Sequence, residues 1–458
     1  MLKTQTTEQI SGHGMWSSKL AFILAATGAA VGLGNIWRFP YVTAENGGGA
    51  FVLIYLACIA LVGIPLLMAE ILLGRAGRHS PINSLLQLAR RSDANRAWSV
   101  IGVIGAIVGV MVLSFYVVVA GWTLSYVWTY IVELAGHAAF VGTPEQHFDD
   151  LLGSPAKLLL WSTLFLASSV AVVALGVEKG LEGSVRLLMP LLFGLLLIMV
   201  GYGMASGYFV QSVVYLFTPD FSAIDGGVIL EAVGQAFFSL SLGMTGIMAY
   251  GAYVPRDMHI GKTAGIIALA DSAVAILAGL AIFPIVFAYD LQGSGGPGLI
   301  FVTLPHAFAA MEFGSLYALA FFVLLAVAAW TSAISLLEPA TAYLVERTRC
   351  NRPVSVLMIG AATWLLGIGS VLSFNHWSTF LLWGKNFQEL IEYVATNVML
   401  PVGGLLIAVF AGWVVSRVIV REQLADLNEE LYRGWLWLMR FFVPLALLVV
   451  LLNAAGVF

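Results

Sequence analysis

The chain has 458 residues, of which 60% are hydrophobic and 10% charged, and a formal net charge of -4. Soluble domains carry roughly 25% charged residues, so the composition excludes a soluble globular protein and points to a chain that crosses a membrane many times. No basic cluster suggests nucleic acid, and Cys58 and Cys350 lie far apart in or beside apolar segments, with no disulfide framework or thiolate metal site to build.

Residues 1–15 are polar and lack the tripartite pattern of a cleavable signal peptide. A spanning helix needs about 20 apolar residues, and about eleven runs reach that length. They are 20–39, 51–73, 100–132, 158–177, 187–205, 228–253, 263–287, 316–344, 354–372, 391–415 and 436–452. The cations fall in alternate loops: Arg75, Arg78, Arg90, Arg91 and Arg96 after the second run, Lys179 and Arg186 after the fourth, Arg256 and Lys262 after the sixth. Arg347, Arg349 and Arg352 follow the eighth, and Arg417, Arg421 and Arg433 the tenth. The other loops carry Glu145, Asp149, Asp150, Asp220, Asp225 and Asp290, with Lys157 and Lys385 as exceptions. Positively charged loops stay inside, so the N-terminus is expected in the cytoplasm and Phe458, after an odd number of spans, outside.

Two runs are interrupted. The first reads Ala29-Ala30-Val31-Gly32-Leu33-Gly34-Asn35, and the sixth Ser239-Leu240-Ser241-Leu242-Gly243-Met244-Thr245-Gly246. Glycine costs about 1 kcal/mol relative to alanine within a helix, and backbone groups freed by a break need partners inside hydrocarbon. Small residues also serve tight helix packing, but two breaks in corresponding positions of two halves point to a binding site between inverted repeats. A half-helix N-terminus offers N–H donors to a carboxylate, and the preceding carbonyls suit a cation. Asn35, Ser239, Asp271, Thr331 and Ser332 add hard oxygen ligands near the breaks. Asp271 lies deep in the seventh run, where a carboxylate costs ~2.5–3.5 kcal/mol and is a functional candidate by default. Arg38 falls at the outer end of the first run, either snorkelling or paired over the site, with Glu392 as its expected mate. Glu70 and Glu338 read as structural caps or ion pairs.

The stretch Gly28 to Pro40, GAAVGLGNIWRFP, with Glu45-Asn46-Gly47-Gly48-Gly49-Ala50-Phe51 after it, resembles the first-span signature of the neurotransmitter:sodium symporters. Gly234-Gln235-Ala236-Phe237-Phe238-Ser239-Leu240-Ser241, the Gly-Pro-Gly-Leu stretch ending at Leu299, Thr303-Leu304-Pro305 and Thr331-Ser332 extend the resemblance over the chain. It implies an all-α polytopic membrane protein with a LeuT-like fold: two inverted five-helix repeats with helices 1 and 6 broken. The expected division is a cytoplasmic segment 1–15, a first repeat 16–206, an extracellular loop 207–227, a second repeat 228–416 and a linker with an eleventh helix at 417–458. The implied activity is sodium-coupled import of hydrophobic, including aromatic, L-amino acids by alternating access across a bacterial inner membrane. No organic cofactor is implied, and the partners are substrate and membrane lipid. The first of two sodium ions would meet Ala30, Asn35, Ser239 and Asp271; the second Gly28, Val31, Ala328, Thr331 and Ser332. Substrate would meet Ala30, Leu33, Gly34, Val112, Tyr116, Phe238, Ser241, Met244, Ser332 and Leu336. The gates would be Arg38 with Glu392 outside, and Trp16 with Glu346 inside.

Departures from the family pattern refine this. Monoamine importers carry an Asp where this chain has Gly32, which favours a substrate bringing its own carboxylate. Chloride-dependent members have Asn at the position of Asp271 and Ser at that of Ala275, so Asp271 implies chloride independence. Met244 replaces a bulkier aromatic and suits varied side chains, while Thr245 stands where many relatives have Gly. His13 matches a gate Arg, giving a weaker, pH-sensitive partner for Glu346. Gly180 and Pro190 flank a nine-residue spacer that in relatives marks an unwinding helix. A membrane enzyme is the rival reading, but His13, His79, His137, His147, His259, His306 and His376 all lie in loops or at run ends, and no GxxxxGK[ST] or HExxH occurs. An amino-acid sensor or a proton-coupled transporter would share the pocket.

Overall fold

The computed structural model describes residues 15–137, 142–289 and 298–457. Every regular element among them is helical, beside two isolated bridges, Gly48–Pro219 and Leu382–Lys385. The first run begins at Ser18, whose side chain accepts the Ala21 N–H as an N-cap, and forms α1 (Lys19–Ala30). Val31 then turns to an extended conformation, and the chain resumes as α2 (Gly34–Glu45) at 54° to α1. Next come α3 (Gly49–Gly77), α4 (Pro81–Arg91), α5 (Arg96–Leu134), α6 (Pro144–Leu152), α7 (Pro155–Ala174) and α8 (Val177–Ala205).

After the short α9 (Phe209–Phe217), the sixth run also appears in two pieces. Asp225 caps α10 (Gly226–Ser239) through the Val228 N–H, and α11 (Gly246–Gly251) follows the break. The rest is α12 (Ile260–Ala288), α13 (Leu299–Ala309), α14 (Gly314–Arg347), α15 (Arg352–Ser373), α16 (Phe387–Val414), α17 (Arg417–Gln423) and α18 (Glu429–Ala454). Nine unbroken helices among the described residues are long and apolar enough to span a bilayer, and the bent α1–α2 pair makes ten. The α10–α11 pair supplies the run that length alone misses, because neither piece reaches spanning length. The chain is an integral membrane protein with the LeuT-like fold.

Burial follows position. The long α14 and α5 are the most enclosed spans, at 72% and 67%, and pack on each other; α18 is 22% buried and lies on the rim. The broken runs therefore sit against the most protein-enclosed pair, where freed backbone groups meet protein and not lipid. Local π-helical turns occur in several spans: Ile59–Gly63 interrupts α3, and Val177–Glu182 opens α8. In α8 the π-turn contains Gly180, and the helix continues through Pro190.

Candidate functional site

The breaks face each other and their loose ends are tied by side chains. At the first, the Gly32 N–H donates to Asn35 Oδ1 at 3.1 Å and the Leu33 N–H to the Tyr116 hydroxyl at 3.4 Å. At the second, the Gly243 N–H donates to Glu70 Oε1 at 2.8 Å. Glu70 is fully buried, so this carboxylate from α3 acts as a cap for backbone that no helix satisfies. The Gln235 amide reaches across and donates to the Gly34 carbonyl at 3.0 Å.

Asn35, Ser239 and Asp271 come together in one buried cluster. Asn35 Nδ2 donates to Asp271 Oδ1 and to Ser239 Oγ, both at 2.8 Å, and Ser239 Oγ donates to Asp271 Oδ2 at 2.5 Å. Tyr55 adds its hydroxyl, 3.1 Å from Ser239 Oγ and 3.4 Å from Asp271 Oδ2. The second predicted set gathers where the end of α1 crosses α14. Ser332 Oγ donates to the Val31 carbonyl at 3.2 Å, Thr331 Oγ1 to the Ala328 carbonyl at 3.0 Å, and a Cβ on Gly28 would stand 3.3 Å from Thr331 Cβ. Carboxylate, hydroxyl and carbonyl oxygens make up most of both sets, which suits a hard monovalent cation, while Asn35 turns its Nδ2 toward the first set and its Oδ1 toward the Gly32 N–H.

Between them lies a narrow cavity lined by Ala30, Gly32, Leu33, Gly34, Val112, Tyr116, Phe238, Ser241, Met244, Ser332 and Leu336. All ten residues expected around the substrate are there, with Gly32 added. The lining carries no ionisable acid or base beyond the phenol of Tyr116. Its shape depends on two glycines: a Cβ on Gly32 would fall 2.6 Å from Ser332 Oγ, and one on Gly34 2.7 Å from the Phe238 ring.

Phe238 separates this cavity from a wider opening bordered by Arg38, Lys385, Glu389 and Glu392. The Arg38 guanidinium lies over the Phe238 ring at 5.3 Å. Here the expectation needs correction: Arg38 pairs with Glu231 of α10 at 2.8 Å, not with Glu392. Glu231 is two helical turns before Phe238 on the same helix, so one element brings both the ring and the acid to Arg38, while Glu392 stands across the opening. Glu231, Tyr55 and Gln235 were not singled out as site residues. The helical spacing of Glu231 from Phe238 was the available signal for it.

At the opposite end Trp16 is buried, its indole N–H donating to the Tyr250 carbonyl at 3.0 Å and its backbone N–H to Tyr253 at 3.1 Å. Ser17 donates to buried Glu182 of the α8 π-turn, its N–H at 2.9 Å, and Arg186 pairs with the same carboxylate. Lys19 pairs with Asp257 at 2.7 Å. Glu346 accepts from the Ser80 N–H at 2.7 Å and the Asn83 amide at 2.6 Å. His13, its expected gate partner, lies outside the described residues.

Residues 13–138 and 147–457 match the model of the sodium:neurotransmitter symporter family. A sodium-dependent transporter of Bacillus subtilis (strain 168), YhdH, is 36% identical over 448 residues, covering 96% of this chain and 98% of its own. A sodium-dependent neutral amino acid transporter of Mus musculus is 29% identical over 300 residues, 59% of this chain and 40% of its own. Among solved structures, MhsT in complex with L-phenylalanine superposes with a TM-score of 0.89 at 42% identity, over 97% of this chain and 100% of that one.

Proposed function

We propose, from the premise that the chain belongs to the sodium:neurotransmitter symporter family, that this sodium-dependent transporter imports hydrophobic L-amino acids with two sodium ions. The observation that carries the reading is the neutral cavity at the meeting of the breaks. Gly32 leaves no acid to hold a bare amine, so the ligand brings its own carboxylate to the N–H groups that open α2 and to the Tyr116 hydroxyl. Its ammonium faces carbonyls at the end of α1, and its side chain lies among Val112, Phe238, Met244 and Leu336. The L-phenylalanine complex of MhsT and the neutral amino acid transporter of mouse support that ligand class.

The first ion is held by Ala30, Asn35, Ser239 and Asp271, the second by Gly28, Val31, Ala328, Thr331 and Ser332. The buried charge of Asp271 makes transport independent of chloride. Residues 16–206 and 228–416 act as inverted repeats that open the site alternately at the Arg38 end, outside, and at the Trp16 end, in the cytoplasm of a bacterium.

Binding of labelled leucine to the purified protein tests this in sodium chloride, potassium chloride and sodium gluconate. Saturable binding is expected in both sodium salts and not in potassium, with loss in Asn35→Ala. Equal binding in sodium and potassium would turn the reading toward a proton-coupled transporter or a sensor; loss in gluconate would refute chloride independence alone.

The corrected outer pair gives a second test. Glu231→Gln is expected to speed dissociation of bound leucine up to about fivefold, the worth of a half-exposed ion pair at about 1 kcal/mol. Glu392→Gln is expected to change it less, and a reversed order would restore Glu392 as the partner of Arg38.

A further inference from the structure

α18 lies on the rim of the protein, yet it carries an arginine, Arg440, inside its apolar stretch. Charged groups in spanning helices are costly and nearly always paired. Arg440 is half-buried and makes no ion pair among the described residues. The nearest acids in sequence, Glu429 and Glu430, open α18 about 15 Å away along the helix. Glu429 is already engaged there, by Arg433 at 2.9 Å and Arg421 at 3.7 Å.

What the protein offers Arg440 is one carbonyl. Its Nε donates to Gly412 at 2.7 Å, where the closing π-turn of α16 (Phe410–Val414) meets a π-turn of α18 (Leu438–Phe442). A Cβ on Gly412 would stand 3.3 Å from Arg440 Cγ and 3.2 Å from the Met439 carbonyl, so the glycine lets the arginine stem lie against α16. The guanidinium sits over the Trp413 ring at 4.8 Å, and the Trp413 indole N–H donates to the Arg440 carbonyl at 3.3 Å. Arg440 thus caps the last turn of α16 with one of five N–H donors. The four on Nη1 and Nη2 find no acceptor among the described residues.

The surroundings face lipid. Trp413, Trp437 and Phe441 are all more than half exposed, and Phe441 packs edge-on to Trp413 at 5.6 Å. The chain leaves the α16 helix at Val415, so Arg440 stands level with the end of a span, at the depth where tryptophans gather. Helical side chains lean toward the helix N-terminus, which here is that same end. It is also the Trp16 end: Arg75 donates both to Gln423 of α17 and to the Met258 carbonyl, close after Tyr253 in the chain.

We infer that Arg440 and Trp413 form a site for an anionic phospholipid in the leaflet at the Trp16 end, the cytoplasmic leaflet on the orientation proposed above. The free side of the guanidinium takes two phosphate oxygens, and an acyl chain lies along Phe441 and Trp437. Charge decides the class of lipid: a headgroup of net negative charge, such as phosphatidylglycerol, neutralises the unpaired cation, whereas phosphatidylcholine brings a cation of its own. The site does not depend on which substrate is carried.

Native mass spectrometry of the full chain tests this, from micelles holding equimolar dioleoyl phosphatidylglycerol and dioleoyl phosphatidylcholine. The native protein is expected to retain phosphatidylglycerol about fivefold over phosphatidylcholine, the effect of one arginine beside an anionic headgroup. Arg440→Gln is expected to cut that ratio at least threefold. Arg440→Lys, a point charge without the planar fork, should cut it by about half, and Arg433→Gln, already paired with Glu429, should change it less. A native ratio near one would overturn the site, as would an undiminished ratio in both Arg440→Gln and Arg440→Lys. Displacement of the lipid by millimolar inorganic phosphate would overturn it in favour of a soluble anion. Loss of a dimer in Arg440→Gln with the lipid ratio unchanged would overturn it in favour of a second copy of the chain on this face.

Discussion

Asp271→Asn is expected to raise the sodium concentration needed for leucine binding by roughly one and a half to three and a half orders of magnitude. The carboxylate is wholly buried, and Asn35, Ser239 and Tyr55 all direct donors at it. In the proposed function its charge is the anionic member of the first set, and a sodium ion entering that set would be stabilised by it. Removing one partner of a buried charge pair costs about 2–5 kcal/mol, and each 1.4 kcal/mol is about tenfold. The amide also turns an –NH₂ toward groups that are already donating. A sodium titration of leucine binding reads the effect. Chloride separates its causes: an added anion that partly restores binding marks lost charge, and none marks lost geometry. An unchanged half-saturation for sodium would remove Asp271 from the ion site.

Arg352→Met is expected to lower the melting temperature in detergent by roughly 5–10 °C, on the general relation between free energy and midpoint. Glu338 is wholly buried within α14, beside Pro339, and pairs with Arg352 of α15. Tyr253 donates to the same carboxylate at 2.8 Å, and Arg352 Nε donates to the Val173 carbonyl of α7 at 2.7 Å. One cation thus joins three spans and the end of the broken sixth run. Breaking a buried pair by removing one member costs about 3–5 kcal/mol, whereas replacing both with apolar groups is often neutral. The double variant Glu338→Met, Arg352→Met should therefore recover most of the loss. An unchanged melting temperature in the single variant would show the pair to be dispensable.

Much of this arrangement is legible in the chain because the membrane simplifies the grammar. Long apolar runs mark the spans, and small or polar residues at Gly32–Asn35 and Ser239–Gly246 stand out against them. The backbone of those breaks lines the cavity itself, so finding the breaks finds much of its lining. What one dimension hides is rotation about helix axes. Glu231 and Glu392 both lie in the first turns of their helices, at the Arg38 end of the molecule, and only the turn of α10 decides that Glu231 meets Arg38. Tyr55 is an ordinary aromatic in an apolar run until α3 sets it beside Asp271. Thr245 departs from the glycine of many relatives, and Gly105, whose missing Cβ makes room for its branch, stands 140 residues earlier in the chain. The π-turns leave no periodic trace, since one extra residue in a turn shifts the pattern too little to read.

The approach to α1 is fastened at three successive residues or nearly so, to three different parts of the molecule: Trp16 to the end of α11, Ser17 to α8, and Lys19 to Asp257. The fastenings grade from dry to wet, with Trp16 at 2% exposure and the side chains of Lys19 and Asp257 at 48% and 73%. Screening by dissolved salt weakens the two links that carry exposed charge, Lys19 with Asp257 and Arg186 beside Ser17 and Glu182, so the buried indole of Trp16 is the fastening whose hold depends least on the ionic strength around the protein.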